Sequence, residues 1–216
     1  MLSTKIDKLL EDKGALFNED MIQRGFHDGI EVEKGIVLNE DYLEAHYDEL
    51  CELFSIFTAY PDIFLDTIAP SDSNFNLFFY QRVVLRAIMR YRDIFVTAPR
   101  AFSKSFITIL ALILQCIFMP GTKRFICAPA KKQSAQIAKE KILEIYERWP
   151  LLRREVVGGD ITDTPGNFGT DYVSLKFRNK SIFDVVGALD SQRGGRRQGG
   201  LIDEVRSKYF EEYNAA

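Results

Sequence analysis

The sequence predicts an α/β fold in which helices flank a mostly parallel β-sheet, with a helical appendage in front of it. Two short β-prone runs, residues 93–99 and 124–130, each contain a turn with proline and precede a long helical stretch. This is the strand, loop and helix order of α/β proteins. The charge also changes sign along the chain: residues 1–70 carry 5 basic and 16 acidic side chains, and residues 71–216 carry 23 and 15. We therefore predict an acidic helical appendage over residues 1–70 and the α/β domain over residues 71–216.

Apolar spacing and turn residues predict the individual elements. Apolar side chains recur at spacings of three and four within residues 1–70, as is typical of helices. A run rich in Pro, Ser, Asp and Asn then predicts a linker or sharp turn. Short β-prone runs joined by three polar residues predict a hairpin. Besides the two runs above, the predicted elements are a linker at 68–76, helices at about 105–119 and 131–149, hairpin strands at 172–177 and 181–188, and a strand at 200–205.

Composition excludes several classes of protein. The chain of 216 residues has a net charge of -3 and is 46% hydrophobic, which is too apolar for overall disorder. Its longest mainly apolar run, residues 106–119, is shorter than the roughly 20 residues that a membrane span needs. The charged N-terminus has no apolar signal segment, so we expect a cytosolic protein without a membrane partner. The three cysteines and two histidines form no zinc or disulfide pattern, and we expect Cys51, Cys116 and Cys127 to be buried, reduced thiols.

Residues 98–105 have the layout of a phosphate-binding loop. They follow the first predicted strand and end in Lys104-Ser105 where a helix begins. Loop amides and the helix dipole attract phosphates there, the lysine reaches the terminal phosphates, and the hydroxyl holds Mg²⁺. Ala98 and Ser103 stand where the usual GxxxxGK[ST] pattern has glycine. An ordinary strand-to-helix loop with a surface lysine therefore stays open as an alternative.

Two acids at the end of the last predicted strand support the phosphate-loop interpretation. Asp203 and Glu204 follow the apolar run Gly200–Ile202, and Asp203 lies 99 residues after Lys104. A nucleotide hydrolase needs one carboxylate to organise Mg²⁺ and an adjacent one directed at the attacking water. Such a pair can also end a strand without any function, so the assignment depends on the two motifs occurring together.

An aromatic residue followed by glutamine precedes the first strand. Residues 78–81, Phe-Phe-Tyr-Gln, open a predicted helix that ends near Arg92. A ring can stack on adenine, and the amide of Gln81 can both donate to and accept from the edge of the base. In the alternative interpretation, Phe78 and Phe79 belong to the core and Gln81 is a solvated helix cap.

This ordered set of motifs resembles the N-terminal ATPase domain of tailed-phage terminase large subunits, the motors of DNA packaging. The resemblance covers roughly residues 74–210 and includes the early arginine of the loop, Arg100, and the run Cys-Ala-Pro-Ala at 127–130. It implies a P-loop NTPase fold of the ASCE type. It also implies ATP and Mg²⁺ as ligands, together with a homo-oligomeric ring, a pentamer, that acts on double-stranded DNA in the host cytoplasm. A portal protein and a small terminase subunit would be its partners.

The resemblance also implies roles for single residues. Glu204 would be the catalytic base, Arg100 would contact the γ-phosphate, and Arg193 would be the arginine finger offered to the neighbouring subunit, with Arg196 and Arg197 as rivals. Ser105 and Asp203 would support the metal. The residues implied to bind ATP are Lys104, Ser105, Ser103, Arg100, Phe102, Tyr80 and Gln81.

The basic residues of the second part have two interpretations. They suit contacts to a DNA backbone without base readout; alternatively, they are solvated lysines and arginines committed to ATP. They are Lys123, Arg124, Lys131, Lys132, Arg153, Arg154 and the cluster of 193–197.

Two other functions stay open beside the packaging motor. A helicase-like translocase of DNA or RNA shares the same motifs but carries its arginine finger on a second ATPase domain of the same chain. A non-catalytic scaffold is suggested by the two missing glycines. The sequence ends 12 residues after Glu204, so we expect it to be the N-terminal part of a longer protein, whose further strands and nuclease domain lie outside it.

Overall fold

A computed structural model describes residues 30–31, 37–38, 44–70, 73, 75–99, 102–128, 131–187 and 197–202. The chain divides into two compact units, Met1–Asn76 and Leu77–Ala216. No helix in the part of the chain that is described is long and apolar enough to cross a membrane.

The first unit contains a helix pair and a small ribbon. Strands β1 (Ile30–Glu31) and β2 (Val37–Leu38) pair antiparallel. Helix α1 (Tyr47–Ala59) is followed by α2 (Pro61–Thr67). Proline is favoured as the first residue of a helix because the N–H that it lacks would have no partner within the helix. The helices predicted from apolar spacing are confirmed for this stretch, while those expected before residue 30 lie outside the described residues. Leu53, Phe57, Leu65 and Ile68 are buried.

The second unit is a mixed α/β domain. Its elements in chain order are α3 (Phe79–Arg90), α4 (Lys104–Phe118), β3 (Lys123–Ala128), α5 (Lys131–Arg148), α6 (Pro150–Arg154), β4 (Asn167–Phe168), β5 (Val173–Lys176), β6 (Ile182–Gly187) and β7 (Gly199–Ile202). The two long predicted helices, the hairpin and the strand before α5 are confirmed, and the last strand is confirmed as far as Ile202.

The five strands form one sheet in the order β4-β5-β6-β3-β7. Strand β3 pairs in parallel with β6 on one side and with β7 on the other. Strand β5 pairs antiparallel with both β4 and β6. The α/β prediction is therefore confirmed, with a correction: only the three strands on the β7 side are parallel, because the hairpin of β5 and β6 adds antiparallel strands to the other side.

Helix α4 is the centre of the core. It contacts α3 and α5 as well as strands β3, β6 and β7. A helix that is apolar on nearly all sides is expected to be buried in this way. Among its neighbours Phe183 of β6 is fully buried. The buried residues of α4 are Phe106, Ile107, Ile109, Leu110, Ala111, Leu112, Ile113, Leu114, Cys116 and Phe118.

The turn of the hairpin holds the C-terminal end of α4. Asn179 donates from Nδ2 to the carbonyl oxygens of Cys116 and Ile117, at 2.8 and 2.9 Å. Ser181 donates from Oγ to the Met119 carbonyl at 3.0 Å. These bonds satisfy carbonyls that a helix end leaves without partners. They also fix the end of α4 beside the amino end of β6, so Lys104 lies roughly 21 Å away along the helix axis.

The first predicted strand is wrong. Residues 93–99 form no ladder with any described residue, and the ring of Phe95 is 83% exposed. Ile94 and Val96 are exposed as well. The β-prone side chains are present, but a strand needs a neighbouring strand to satisfy its backbone groups, and none is present among the residues described.

The cysteines differ in exposure. All three are free thiols, as predicted, but Cys51 is exposed, Cys127 is half-buried and only Cys116 is fully buried. Burial raises the pKa of Cys116 from 9 to about 12, against a smaller opposing effect of the Arg124 guanidinium.

Candidate nucleotide site

The residue directly before α4 has a backbone conformation that glycine favours. Ser103 is the N-cap residue of α4 and has φ 56° and ψ 28°, in the left-handed region. This conformation strains residues with a Cβ. In the GxxxxGK[ST] pattern a glycine stands at this position. A left-handed residue is therefore present at the position of the second glycine of the pattern, although the glycine is not.

Lys104 begins α4 and turns back onto the preceding segment. Its Nζ donates to the Ala98 carbonyl at 2.6 Å and to the Pro99 carbonyl at 3.1 Å. The side chain is half-buried. The predicted phosphate-binding ammonium thus lies at the N-terminus of a buried helix, where the positive end of the helix dipole favours an anion.

Ser105 follows in the first turn of α4 and is half-buried. Its hydroxyl is the kind of oxygen that Mg²⁺ accepts beside phosphate oxygens. Among the described residues no three His, Cys, Asp or Glu side chains form a group that could hold a metal ion.

Three aromatic rings form a row beside this loop. The Phe78 and Tyr80 rings are stacked, with centroids 5.8 Å apart and planes 7° apart. Tyr80 also contacts Phe102 of the loop, with centroids 4.3 Å apart. Phe78 is 63% exposed, so the alternative that it belongs to the core is wrong. The row brings together two residues predicted to bind ATP, Tyr80 and Phe102.

Gln81 is a helix cap, although a buried one. Its Oε1 accepts a hydrogen bond from the backbone N–H of Phe78 at 2.9 Å, and the residue is 4% exposed. The bond closes the first turn of α3. The amide oxygen is therefore used within the protein, and this conformation does not offer both halves of the amide to a base.

Four predicted site residues, Arg100, Arg193, Asp203 and Glu204, lie outside the described residues, as does Arg196. The structure does describe the strand that leads to the acids. Strand β7 runs parallel to β3, with Ile202 opposite Cys127. Asp203 is thus the residue that follows the carboxyl end of β7, and carboxyl ends of parallel strands are where α/β proteins bind ligands.

Arg197 forms an ion pair with Asp184 of strand β6. Its Nη2 lies 3.8 Å from Asp184 Oδ2, and its side chain is 20% exposed. The other oxygen of Asp184 accepts a hydrogen bond from Ser174 Oγ at 2.7 Å. Neither Asp184 nor Ser174 stands out in the sequence, because a lone acid within an apolar strand gives no spacing signal. Arg197, one of the three candidates for the arginine finger, is thus paired with an acid of its own chain.

The described basic residues at β3 and α5 lie near opposite ends of one strand. Lys123 and Arg124 begin β3, whereas Lys132 lies at the start of α5, beyond the other end of that strand. Six strand residues separate these positions by roughly 20 Å. Arg153 is paired with Asp163.

Arg124, near the start of β3, is half-buried. Its Nη2 lies 3.4 Å from Met119 Sδ, and a Cβ added at Gly199 would lie 2.4 Å from its Nη1. Glycine at position 199 therefore makes room for this guanidinium. Burial lowers the pKa of Arg124, and the residue acts here as a packing element of the amino edge of β3.

Neither a family model nor a curated protein matches the chain. The functional assignment therefore depends on the geometry above and on the motifs of the sequence.

Proposed function

We propose that this chain is an ATP hydrolase of the P-loop type and acts as the ATPase motor of viral DNA packaging. The observation that carries the proposal is the left-handed Ser103 immediately before Lys104, at the start of a buried helix of 15 residues. This combination supports a phosphate cradle because Ser103 stands where the pattern has glycine, the residue that adopts the left-handed conformation most readily.

The position of the two acids in the chain also supports the proposal. The turn at Asn179 fixes the far end of α4, which leaves Lys104 remote from the amino ends of the strands. The chain leaves β7 at the carboxyl end, directly before Asp203. We propose that Lys104, Ser105, Asp203 and Glu204 act on one nucleotide.

In this mechanism each residue has a separate task. Lys104 neutralises charge that develops on the phosphoryl oxygens, and Glu204 orients and deprotonates the attacking water. Ser105 and Asp203 would hold Mg²⁺, which would supply positive charge to neutralise the phosphate oxygens. Arg100 contacts the γ-phosphate, and Arg193 completes the site of a neighbouring subunit, so an isolated chain turns over slowly.

The aromatic row supports a base-binding end of the same site. Tyr80 and Phe102 present aromatic surface beside the loop, and aromatic rings stack on any base. Gln81 would contribute its amide group to an adenine only if the cap at Phe78 changes.

The viral part of the proposal is supported by the resemblance to terminase large subunits. In that context the chain forms a ring of five subunits on a portal protein in the host cytoplasm, together with a small terminase subunit. It drives double-stranded DNA into a procapsid. Stimulation of ATP hydrolysis by duplex DNA, but not by single-stranded DNA or RNA, is expected of such a motor; preference for single strands would favour a helicase-like translocase instead.

Calorimetric titration with ATP and Mg²⁺ tests the nucleotide site directly. Wild-type chain should bind, and Lys104→Ala should weaken binding by about 10- to 100-fold through loss of a charge-assisted hydrogen bond. Lys132→Ala, an exposed lysine at the start of α5, is the matched control and should bind as the wild type does. Undetectable binding at millimolar ATP would contradict the proposal and favour a non-catalytic scaffold.

A further inference from the structure

The ion pair of Arg197 connects two parts of the sheet that are not neighbours. Arg197 lies just before β7, whereas Asp184 belongs to β6, and β3 lies between these two strands. The Nη2 atom of Arg197 is 3.8 Å from Asp184 Oδ2, and Ser174 of β5 donates to the other carboxylate oxygen at 2.7 Å. One carboxylate therefore links the segment before β7 to both β6 and β5.

Strand β7 begins with two glycines that lie close to β3. A Cβ added at Gly199 would lie 2.4 Å from Arg124 Nη1, and one added at Gly200 would lie 2.3 Å from the Phe125 carbonyl oxygen. This close approach requires glycine, but glycine has no side chain that could hold the strand by packing. Glycine-rich strands specify their register weakly. Contacts from outside the strand are therefore needed to hold the first half of β7 in place.

The two residues before β7 supply such contacts. Gln198 donates from its backbone N–H to the Lys123 carbonyl at 3.1 Å, and its Oε1 accepts a hydrogen bond from the Lys123 N–H at 2.5 Å. Arg197 adds the ion pair with Asp184, which joins this segment to a strand beyond β3. A backbone ladder can re-form after the strand shifts, whereas a side-chain contact with one partner cannot. These side chains therefore favour one register of β7.

The register of β7 matters because two acids with different proposed tasks follow this strand. Successive side chains of an extended chain point to opposite faces. If the chain continues as a strand, a shift of one residue would move Asp203 and Glu204 by about 3.3 Å and exchange the faces on which they lie. In the proposed mechanism Asp203 holds the metal and Glu204 deprotonates water, so the two acids cannot exchange places without loss of activity.

We propose that Arg197 is a positioning residue of its own subunit: through Asp184, which Ser174 orients, it fixes the register of β7. The register in turn determines where the two acids after the strand lie. The effect on catalysis rests on the proposed function, whereas the effect on β7 does not. This role leaves Arg193 and Arg196 as the candidates for the arginine finger.

Hydrogen exchange measured by mass spectrometry on the nucleotide-free chain tests whether the ion pair holds β7. In Arg197→Ala the peptide that covers β7 should exchange at least about threefold faster, while peptides of α4 keep the wild-type rate, because only local opening is affected. Asp184→Asn keeps the shape of the side chain and should have the same effect. Arg153→Ala, which removes a half-buried arginine from a pair with Asp163, is the control. Wild-type exchange of β7 in Arg197→Ala, or equal acceleration of β7 and α4, would overturn the proposal.

Single-turnover hydrolysis of ATP separates a positioning residue from an arginine finger. Arg197→Ala and Asp184→Asn should both be slower by about 10- to 100-fold, with ATP affinity unchanged within about twofold. The double variant should be no slower than either, because all three lack the same contact. A slow Arg197→Ala beside a wild-type rate in Asp184→Asn would show that the arginine acts directly and would overturn the proposal. Faster exchange of β7 in both variants of a chain that hydrolyses no ATP would support the role of the ion pair and overturn the proposed function instead, so the two failures are distinguishable.

Discussion

The ring of Tyr80 lies 4.3 Å from the ring of Phe102, centroid to centroid, and so joins the start of α3 to the loop before α4. The two residues are remote in the sequence and belong to different predicted motifs. Their contact places aromatic surface next to the lysine that begins α4.

The first prediction concerns this aromatic row. Tyr80→Ala should weaken ATP binding by about 5- to 100-fold, as expected for loss of one base-stacking ring. Binding of inorganic tripolyphosphate should be unchanged, because it has no base. Phe79→Ala, in which an 83% exposed ring is removed, is the control. Equal losses for ATP and tripolyphosphate in a calorimetric titration would show that Tyr80 only supports the fold.

The second prediction concerns the strained residue before α4. Ser103→Val should lower the free energy of unfolding by about 1–2 kcal/mol, because a β-branched side chain resists the left-handed conformation. For Ser103→Gly the free energy of unfolding should be no more than about 0.5 kcal/mol below that of the wild type. Ser105→Gly, inside the helix, should instead cost about 0.5–1 kcal/mol. Urea unfolding measures all three, and a stable Ser103→Val would contradict the conformation of the loop.

The third prediction concerns the turn that holds α4. Asn179→Ala removes two donors to the last helical carbonyls and an acceptor for the Ser181 N–H. We expect a loss of about 1–3 kcal/mol in the free energy of unfolding. Asn167→Ala removes an exposed contact to Tyr172 and should change stability by less than about 0.5 kcal/mol. Similar losses in both variants would refute the anchoring role of Asn179.

The fourth prediction concerns the thiols. The thiolate is the reactive form, and the pKa of buried Cys116 is about 12. At pH 8 a thiol reagent should label Cys51 at once and Cys116 only after unfolding; a Cys51→Ser variant identifies the fast site. Rapid labelling of Cys116 in the folded protein would be incompatible with its burial.

The same pKa predicts the direction of a pH effect on stability. The pKa of Cys116 is higher in the folded chain than its ordinary value of 9. The contribution of the Cys116 thiol to the free energy of unfolding is therefore fully present below pH 9 and is lost as the pH rises from about 9 to about 12. The free energies of unfolding of the wild type and of Cys116→Ala, measured at each pH, should converge over this range.

The sequence predicted the elements whose signals are local. Helix α4 follows from a continuous apolar run ended by Pro120, and the hairpin from two β-prone runs around residues 178–180. It predicted the antiparallel pair of the hairpin but not the two-residue strand β4 that extends that side of the sheet, because so short a run gives no periodic signal. Residues 93–99 have the composition of a strand but no partner strand among the described residues.

The candidate site was predicted only in part for a related reason. The helix start at Lys104 and the aromatic residues near it are visible in the sequence. The use of Lys104 by Ala98 and Pro99, the cap formed by Gln81 and the contact of Arg197 with Asp184 are not. Each of these depends on the conformation of side chains, which motif spacing does not specify.

Single-turnover hydrolysis of ATP by Glu204→Gln tests the central claim most directly. The chain in excess over ATP should hydrolyse it slowly, and the variant should be at least about 100-fold slower, because it cannot deprotonate the attacking water, with ATP affinity unchanged within about twofold. Glu147→Gln, at an exposed position of α5, should match the wild type. Equal rates for the wild type and Glu204→Gln would contradict the assignment of this chain as an ATP hydrolase that uses Glu204 as its base.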